Sequence, residues 1–315
     1  MRLIRTLTAR PAAARPLALA IGVFDGVHRG HQAVLDAAVA MARARGWISA
    51  ALSFESMPEA SLGLPVPKWL GHPSADAECM RVLGLELLYR VPFTRGLGKL
   101  SPRSFAEGIL MRRLRCGAVV VGSGFRFGDK AKGDVALLKR LGVRLGFEVV
   151  EVPSVALSGR PVSSTRLRAA VEDGKMAEAA RLLGRPWRLR GKVVRGQGLG
   201  AKLGFATANL DSPQQALPPR GVWAGRVRIL GAPGPGPWKG FAANLGVRPT
   251  LGAGLAPSVE LHLLGFKGNL RGRTLEAEFL KRLRPEKKFK GLPQLQAQIK
   301  KDLERAAKAV RGKLA

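Results

Sequence analysis

From residue 17 to about 152, apolar runs of strand length alternate with stretches of helical period, and past Trp187 that alternation stops. The runs "PLALAIGVF", "WISAALSF", "LELLYRVPF", "GAVVVG" and "FEVVEV" read as strands, with helices at "HQAVLDAAVAMARAR", "PRSFAEGILMRRLR" and "DVALLKRLGVRLG". Such a pattern predicts an α/β unit built on a parallel sheet with helices on both faces. "SSTRLRAAVEDGKMAEAARLLGRPW" then predicts two short helices broken at Asp173-Gly174. Beyond it, "WRLRGKVVRG", "GVWAGRVRIL", "WKGFAANLG", "SVELHLLGF" and "LEAEFLKRL" are spaced by Gly- and Pro-rich turns, as in an antiparallel β-barrel. A C-terminal helix follows, with Leu292, Leu295, Ile299, Leu303 and Ala306 on one stripe. The expected division is therefore residues 1–186 and 187–315.

Composition narrows the classes of function. No apolar run approaches the roughly 18 residues of a membrane helix, so no membrane role is expected. Cys79 and Cys116 are too few for a disulfide framework, which points to a reducing, cytoplasmic setting. The arginine-rich opening superficially resembles a targeting leader, but its apolar part runs straight into the next motif and reads as a first strand. The 53 basic and 22 acidic residues leave a net charge of +31. That charge fits either a nucleic-acid binder or an enzyme for polyanionic substrates. It is spread over both halves rather than gathered in a low-complexity arm, which argues against nucleic acid as a partner.

The stretch "GVFDGVHRGHQAVL", Gly22 to Leu35, follows the first strand and opens the first helix. A strand, a glycine-rich turn and a helix N-terminus leave backbone N–H groups directed at one point, where an anion can sit. His28 and His31 add imidazole donors there, which suits a phosphate chain. A metal pair is the competing reading, weakened by the lack of further ligands nearby. Downstream, Ser163-Ser164-Thr165 before an apolar helix is a good N-cap, yet capping accounts for one hydroxyl and not for three together with Arg168.

These motifs resemble the bacterial bifunctional riboflavin kinase/FMN adenylyltransferase family. "GVFDGVHRGHQAVL" looks like its G-x-F-D-G-x-H-x-G-H signature, and "VSSTRLR" with "LLGRPW", "GLGAKLGFATANL", "ANLGVRPT", "VELHLLGF" and "LRPEKKF" match further landmarks in order. The resemblance implies a Rossmann-like nucleotidyltransferase domain over residues 1–186 that adenylylates FMN to FAD, and a riboflavin kinase barrel over 187–315. It implies ATP, riboflavin and FMN as ligands and Mg²⁺ as cofactor; a monomer is the expected state. By the same resemblance His28, His31 and Arg168 act on the ATP phosphates, with Gly22, Phe24, Asp25, Gly26, Gly30, Ser164 and Thr165 binding nucleotide. In the second half Thr207 and Asn209 match the Mg²⁺-ATP ligands, Glu260 the general base, and Arg284 and Glu286 flavin-binding positions. Read from its strand alone, Glu260 could equally face solvent.

The match frays at named places. The family's F-x-P-H-P is "FESMP" here, putting Ser56 and Met57 in the Pro and His places; its aspartate in G-x-D-F-x-F-G is Gly124; its R-L-T looks replaced by "WLG", Trp69 to Gly71. In the second half Ala201, Ala206 and Arg271 depart as well. Three expectations follow: an enzyme making both FMN and FAD, a divergent member with kinase activity only, or a degenerate basic binding protein. Retention of both HxGH and SSTxxR favours the first.

Overall fold

The computed structural model describes residues 1–7, 15–196, 207–211, 214–231, 234–250 and 254–312. Ala201 and Ala206 lie outside them. By contacts the chain forms two units: Met1–Lys68 with Pro73–Ser164, and Trp69–His72 with Thr165–Ala315.

The first unit is a six-stranded sheet in the order β1-β4-β3-β2-β5-β6, with β1 Arg2–Ile4, β2 Leu17–Ile21, β3 Ile48–Phe54, β4 Leu87–Val91, β5 Cys116–Gly122 and β6 Glu148–Val152. Every pairing is parallel. Alternate side chains of the central strands enter two separate cores, as a doubly covered sheet requires. Leu19, Leu52, Tyr89 and Val119 pack on one face and Ala20, Ala51, Leu88 and Val120 on the other. The second face is covered by α1 (Arg29–Arg45), which supplies Val34, Leu35 and Ala38, and by a later helix through Met80.

Between β3 and β4 lie α2 (Pro58–Leu62) and that later helix, α3 (Pro73–Val82). After β4 come α4 (Arg95–Gly98) and α5 (Pro102–Phe105), which runs on as a π-helix, Ala106–Arg113. With α6 (Val135–Leu145) this last segment covers the first face. The short strand β1 and helices α2, α3 and α4 were not foreseen from periodicity, and neither was the two-residue hairpin of β7 (Ala156–Leu157) and β8 (Arg160–Pro161).

In the second unit α7 (Ser164–Glu172, from Thr165 on) and α8 (Met176–Leu183) precede a closed barrel of order β10-β13-β12-β11-β14-β9. Its strands are β9 Arg188–Val194, β10 Ala208–Asp211, β11 Gly221–Leu230, β12 Lys239–Thr250, β13 Gly254–Leu263 and β14 Thr274–Arg284. All six pairings are antiparallel. The four residues of β10 close the ring between β9 and β13, one strand more than the hydrophobic pattern announces. Trp223, Phe241 and Phe279 fill the interior, the last two rings 5.3 Å apart at 72°.

Helix α9 (Leu292–Val310) packs on the outer face, where Ala306 meets Ala224 and Ala242. Its buried positions are Asp302, Ala306 and Val310, whereas Leu292 is 55% exposed, so the expected apolar stripe is shifted toward the C-terminus and carries an acid. Also outside the barrel, Glu276 and Glu278 are sealed by Arg188, Arg190, Arg226 and Arg228, with Trp238 under three of those guanidinium groups. Part of the positive charge is thus consumed in a buried ion-pair network.

Trp69–His72 lies between β3 and β4 in sequence yet groups with the barrel unit. Trp69 N donates to Gln214 O at 2.8 Å, Ala216 N donates to Trp69 O at 2.7 Å, and Trp187 Nε1 donates to Leu70 O at 2.9 Å.

Candidate active sites

In the parallel sheet the chain leaves β2 for β3 on one side and returns as β5 on the other. Ligands of open α/β sheets bind beyond the carboxyl ends of the strands at such a switch point. The segment after β2 occupies it. Its turn is strained: Phe24 has φ +54° and Val27 φ +42°, on either side of Gly26 at +71°. A bulky and a β-branched residue in left-handed backbone persist only where surrounding structure holds them, a condition that clusters at functional sites.

His28 caps α1. Its Nδ1 accepts from His31 N at 3.3 Å, and its Nε2 lies 3.3 Å from Ser164 Oγ, 136 positions away in sequence. The His28 and His31 rings stack at 3.6 Å and 18°, and Phe24 meets His31 edge-on at 5.4 Å. A Cβ on Gly30 would stand 3.2 Å from the His28 ring, a contact tight enough that the imidazole would have to give by a few tenths of an ångström. Asp25 is buried under this turn, in the field of Arg90 on β4. Arg90 is 8% exposed and donates to Pro73 O at 2.9 Å; nothing in its local pattern marked it. Gly22, Phe24, Asp25, Gly26, His28, Gly30, His31 and Ser164 thus gather at one place. Thr165 and Arg168 continue α7, and between them Arg166 is committed to Glu178 of α8 at 3.0 Å.

Burial, with the His28 ring adding to it, pushes His31 well below the ordinary imidazole value of 6.5. The folded site therefore holds a neutral His31, whose buried Nδ1 has no hydrogen-bond partner among the described residues. The unfolded chain takes up this proton first as pH falls through 6.5, so native stability should be lost below that pH, with a slope of at most about 1.4 kcal/mol per pH unit. Denaturant melts at pH 7.5 and 5.5, compared with those of His31→Phe, check this. A parent and variant with equal pH dependence would refute it.

The second site lies on the outer face of the barrel, in a pocket of about 310 Å³. Val259, Leu261 and Leu263 are buried, and Glu260 and His262, alternating with them, line the pocket. Pairing places Asn209 opposite Glu260, Glu260 opposite Asn244, Asn244 opposite Val222, and Val222 opposite Arg284, one row across five strands. Thr207, Arg284 and Glu286 also line the pocket, whereas Asn209 is buried beside Glu260 in the row. Glu286 lies over bare backbone, its Oε1 2.7 Å from where a Cβ of Gly246 would stand. The wall opposite the strands is α9, through Leu295, Ile299 and Asp302. Asn244, which falls in the quoted "ANLGVRPT" without having been named as a site residue, and Asp302, which falls in no quoted motif, are further pocket residues.

Among the described residues no group of three His, Cys, Asp or Glu side chains could hold a metal, and no helix is long and apolar enough to cross a membrane. Thr207 and Asn209 are hard oxygen donors, the kind Mg²⁺ takes in small number when substrate phosphates supply the rest.

Comparison with known proteins finds two families in succession along the chain. The chain matches the family described as FAD synthetase over residues 10–166 and that described as riboflavin kinase over 183–310. It is 36% identical over 285 residues to a bifunctional riboflavin kinase/FMN adenylyltransferase of Escherichia coli K12, covering 90% of each chain. The corresponding proteins of Haemophilus influenzae and Pseudomonas fluorescens are 35% and 36% identical, with at least 97% of each chain covered. A solved structure described as a macrolide-efflux protein from Streptococcus pneumoniae superposes with a TM-score of 0.81 at 27% identity, covering 97% of this chain and 98% of that one.

Proposed function

The chain belongs to the bifunctional riboflavin kinase/FMN adenylyltransferase family, and from that premise and its two sites we propose that it phosphorylates riboflavin to FMN and adenylylates FMN to FAD. The observation that carries the reading is Glu260: a carboxylate on β13 between the buried Val259 and Leu261, half-buried, opening on the same pocket as Thr207 and Arg284.

In the kinase step Glu260 takes the proton of the terminal ribityl hydroxyl, whose oxygen then attacks the γ-phosphorus of ATP as ADP leaves. Arg284 and Glu286 hold the flavin. Thr207 and Asn209 would hold Mg²⁺ with the ATP phosphates, and the ion supplies charge neutralisation on the transferring group. In the adenylylation step a phosphate oxygen of FMN attacks the α-phosphorus of ATP and pyrophosphate leaves. His28, His31, Ser164, Thr165 and Arg168 orient the triphosphate and stabilise its charge, with the backbone N–H groups of Gly22 to Gly30 around it. We assign the first activity to residues 187–315 and the second to 1–186, in a cytoplasmic monomer. Riboflavin with Mg-ATP, followed over time with FMN and FAD resolved, tests the assignment; absence of both products would end it.

The departures from the family pattern set the relative rates. Met57 stands three residues after β3 and Gly124 two after β5, the strands on either side of β2. Both replace polar residues at the carboxyl edge of the adenylylation site, and each lost polar contact typically costs about 1–3 kcal/mol. FMN should therefore accumulate before FAD. Gly124 has open space around its Cβ position and Met57 caps α2 with no side-chain hydrogen bond, so Gly124→Asp with Met57→His is sterically plausible at the first and leaves no cap to lose at the second. The double variant should raise FAD formation about tenfold or more, following from about 1.4 kcal/mol recovered, with FMN formation unchanged. FAD appearing without an FMN lag would contradict this.

A further inference from the structure

We infer that Asp302 of α9 is a positioning residue that fixes the Arg284 guanidinium as one wall of the flavin pocket; the inference rests on reading that pocket as the kinase site. Asp302 Oδ2 accepts from Arg284 Nε at 3.0 Å and from its NH2 at 2.8 Å, and Oδ1 accepts from Nε at 3.2 Å. Gln298, one turn earlier on α9, donates Nε2 to Oδ1 at 2.9 Å. On the other side Arg284 NH1 donates to Pro285 O at 3.0 Å, and the Phe289 ring centre lies 5.7 Å from the guanidinium carbon. The arginine is thus held from both sides, and its plane cannot turn without breaking a two-point ion pair.

The Asp302 side chain is 5% exposed and that of Arg284 17%. Docking of α9 does not need such a pair. Ala306, Leu303 and Ala309 already pack on Ala224 and Ala242, and buried ion pairs add little net stability beside apolar contacts of similar volume. What the pair does that an apolar contact cannot is orient a cation. Arg284 and Asp302 line the same pocket as Glu260, and Arg284 stands in the same cross-strand row, three strands from Glu260. At about 4.8 Å per strand that is ~14 Å along the sheet. One end of an elongated ligand can meet the base while its other end meets the arginine. An arginine turned away from the row would cost affinity for that far end and leave proton transfer at Glu260 untouched.

The test compares Asp302→Asn, Arg284→Lys, their combination, Gln298→Ala and Glu260→Gln in the full chain. Riboflavin KM and kcat are measured for FMN formation, together with riboflavin affinity by flavin fluorescence without ATP, FAD formation from supplied FMN, and melting. Asp302→Asn should raise riboflavin KM and Kd about tenfold, the loss of one charge-assisted contact, with kcat and FAD formation nearly constant. Arg284→Lys should do the same, and the combination should be no worse than the worse single variant, because Asp302 acts only through Arg284. Lower melting with unchanged KM and Kd, or effects that multiply, would overturn the inference while leaving the kinase assignment standing. If Asp302→Asn fails to fold, Gln298→Ala decides: a smaller rise in the same constants is expected, and no rise overturns it. Full FMN formation by Glu260→Gln would remove the kinase reading of the pocket and this inference with it.

Discussion

Glu260→Gln is expected to abolish FMN formation from riboflavin while leaving adenylylation of supplied FMN intact. Glutamine keeps the size of the side chain and its place in the row between Asn209 and Asn244, so the ladder β10-β13-β12 has no reason to shift. It removes only the capacity to accept the hydroxyl proton, a loss commonly worth about 10²–10⁴ in rate. A structural role would produce something else. If the carboxylate mattered mainly for pairing on the outer face of the barrel, melting would fall and both the flavin affinity and the turnover would drift together. The separation of activities is the sharper half of the expectation, because Gly22 to His31 and Ser164 belong to the other unit, and Thr165 and Arg168 lie on α7 rather than on a barrel strand. Measuring FMN from riboflavin and FAD from FMN, each with Mg-ATP, reads both halves. Equal loss of the two would show that Glu260 is not the base of a separate site.

The parts of this fold written in local periodicity could be read in advance. Strands β2 to β5 are near-continuous apolar runs because both faces are buried, and their alternation with amphipathic helices leaves few topologies open. What escaped was short or non-local. Strand β1 has three residues and β10 four, and each exists because a neighbour's edge is available, not because its own pattern demands it. Helix α3 is half polar along its length, with Asp76 buried in it, so its period is blurred. At the sites, residue types and spacing marked His28, His31 and Ser164, and the resemblance to the family marked Thr207 and Glu260. They could not announce that His28 and Ser164 stand 3.3 Å apart, or that the one acid in the buried stripe of α9 grips Arg284. Both contacts join different elements, 136 and 18 positions apart in the chain, so no local pattern contains them. Trp69–His72 makes the same point, since its Leu70 is buried against the unit that its sequence position does not suggest.

His31→Ala should lower FAD formation by about 10²–10³, the usual cost of losing one preorganised donor at a site of developing charge, and should leave riboflavin phosphorylation unchanged. The expectation rests on what holds the ring. His31 is clamped between the parallel His28 ring and the edge of Phe24, and it is kept neutral by burial. A neutral imidazole in a fixed orientation offers a directed N–H to a phosphate oxygen without the cost of reorganising at the moment of reaction. His28 is harder to interpret alone, because it caps α1 as well as facing Ser164, and losing a cap costs about 1 kcal/mol of stability. Asparagine separates the two roles. It is among the best N-caps, so His28→Asn should keep α1 and the melting temperature while losing the Nε2 contact with Ser164 and, with it, most FAD formation. Ser164→Ala should then add little to His28→Asn if both act on the same phosphate through one contact. FAD formation that survives His31→Ala, or that falls in His28→Asn only in proportion to lost folding, would mean that the strained turn after β2 binds the triphosphate by its backbone alone.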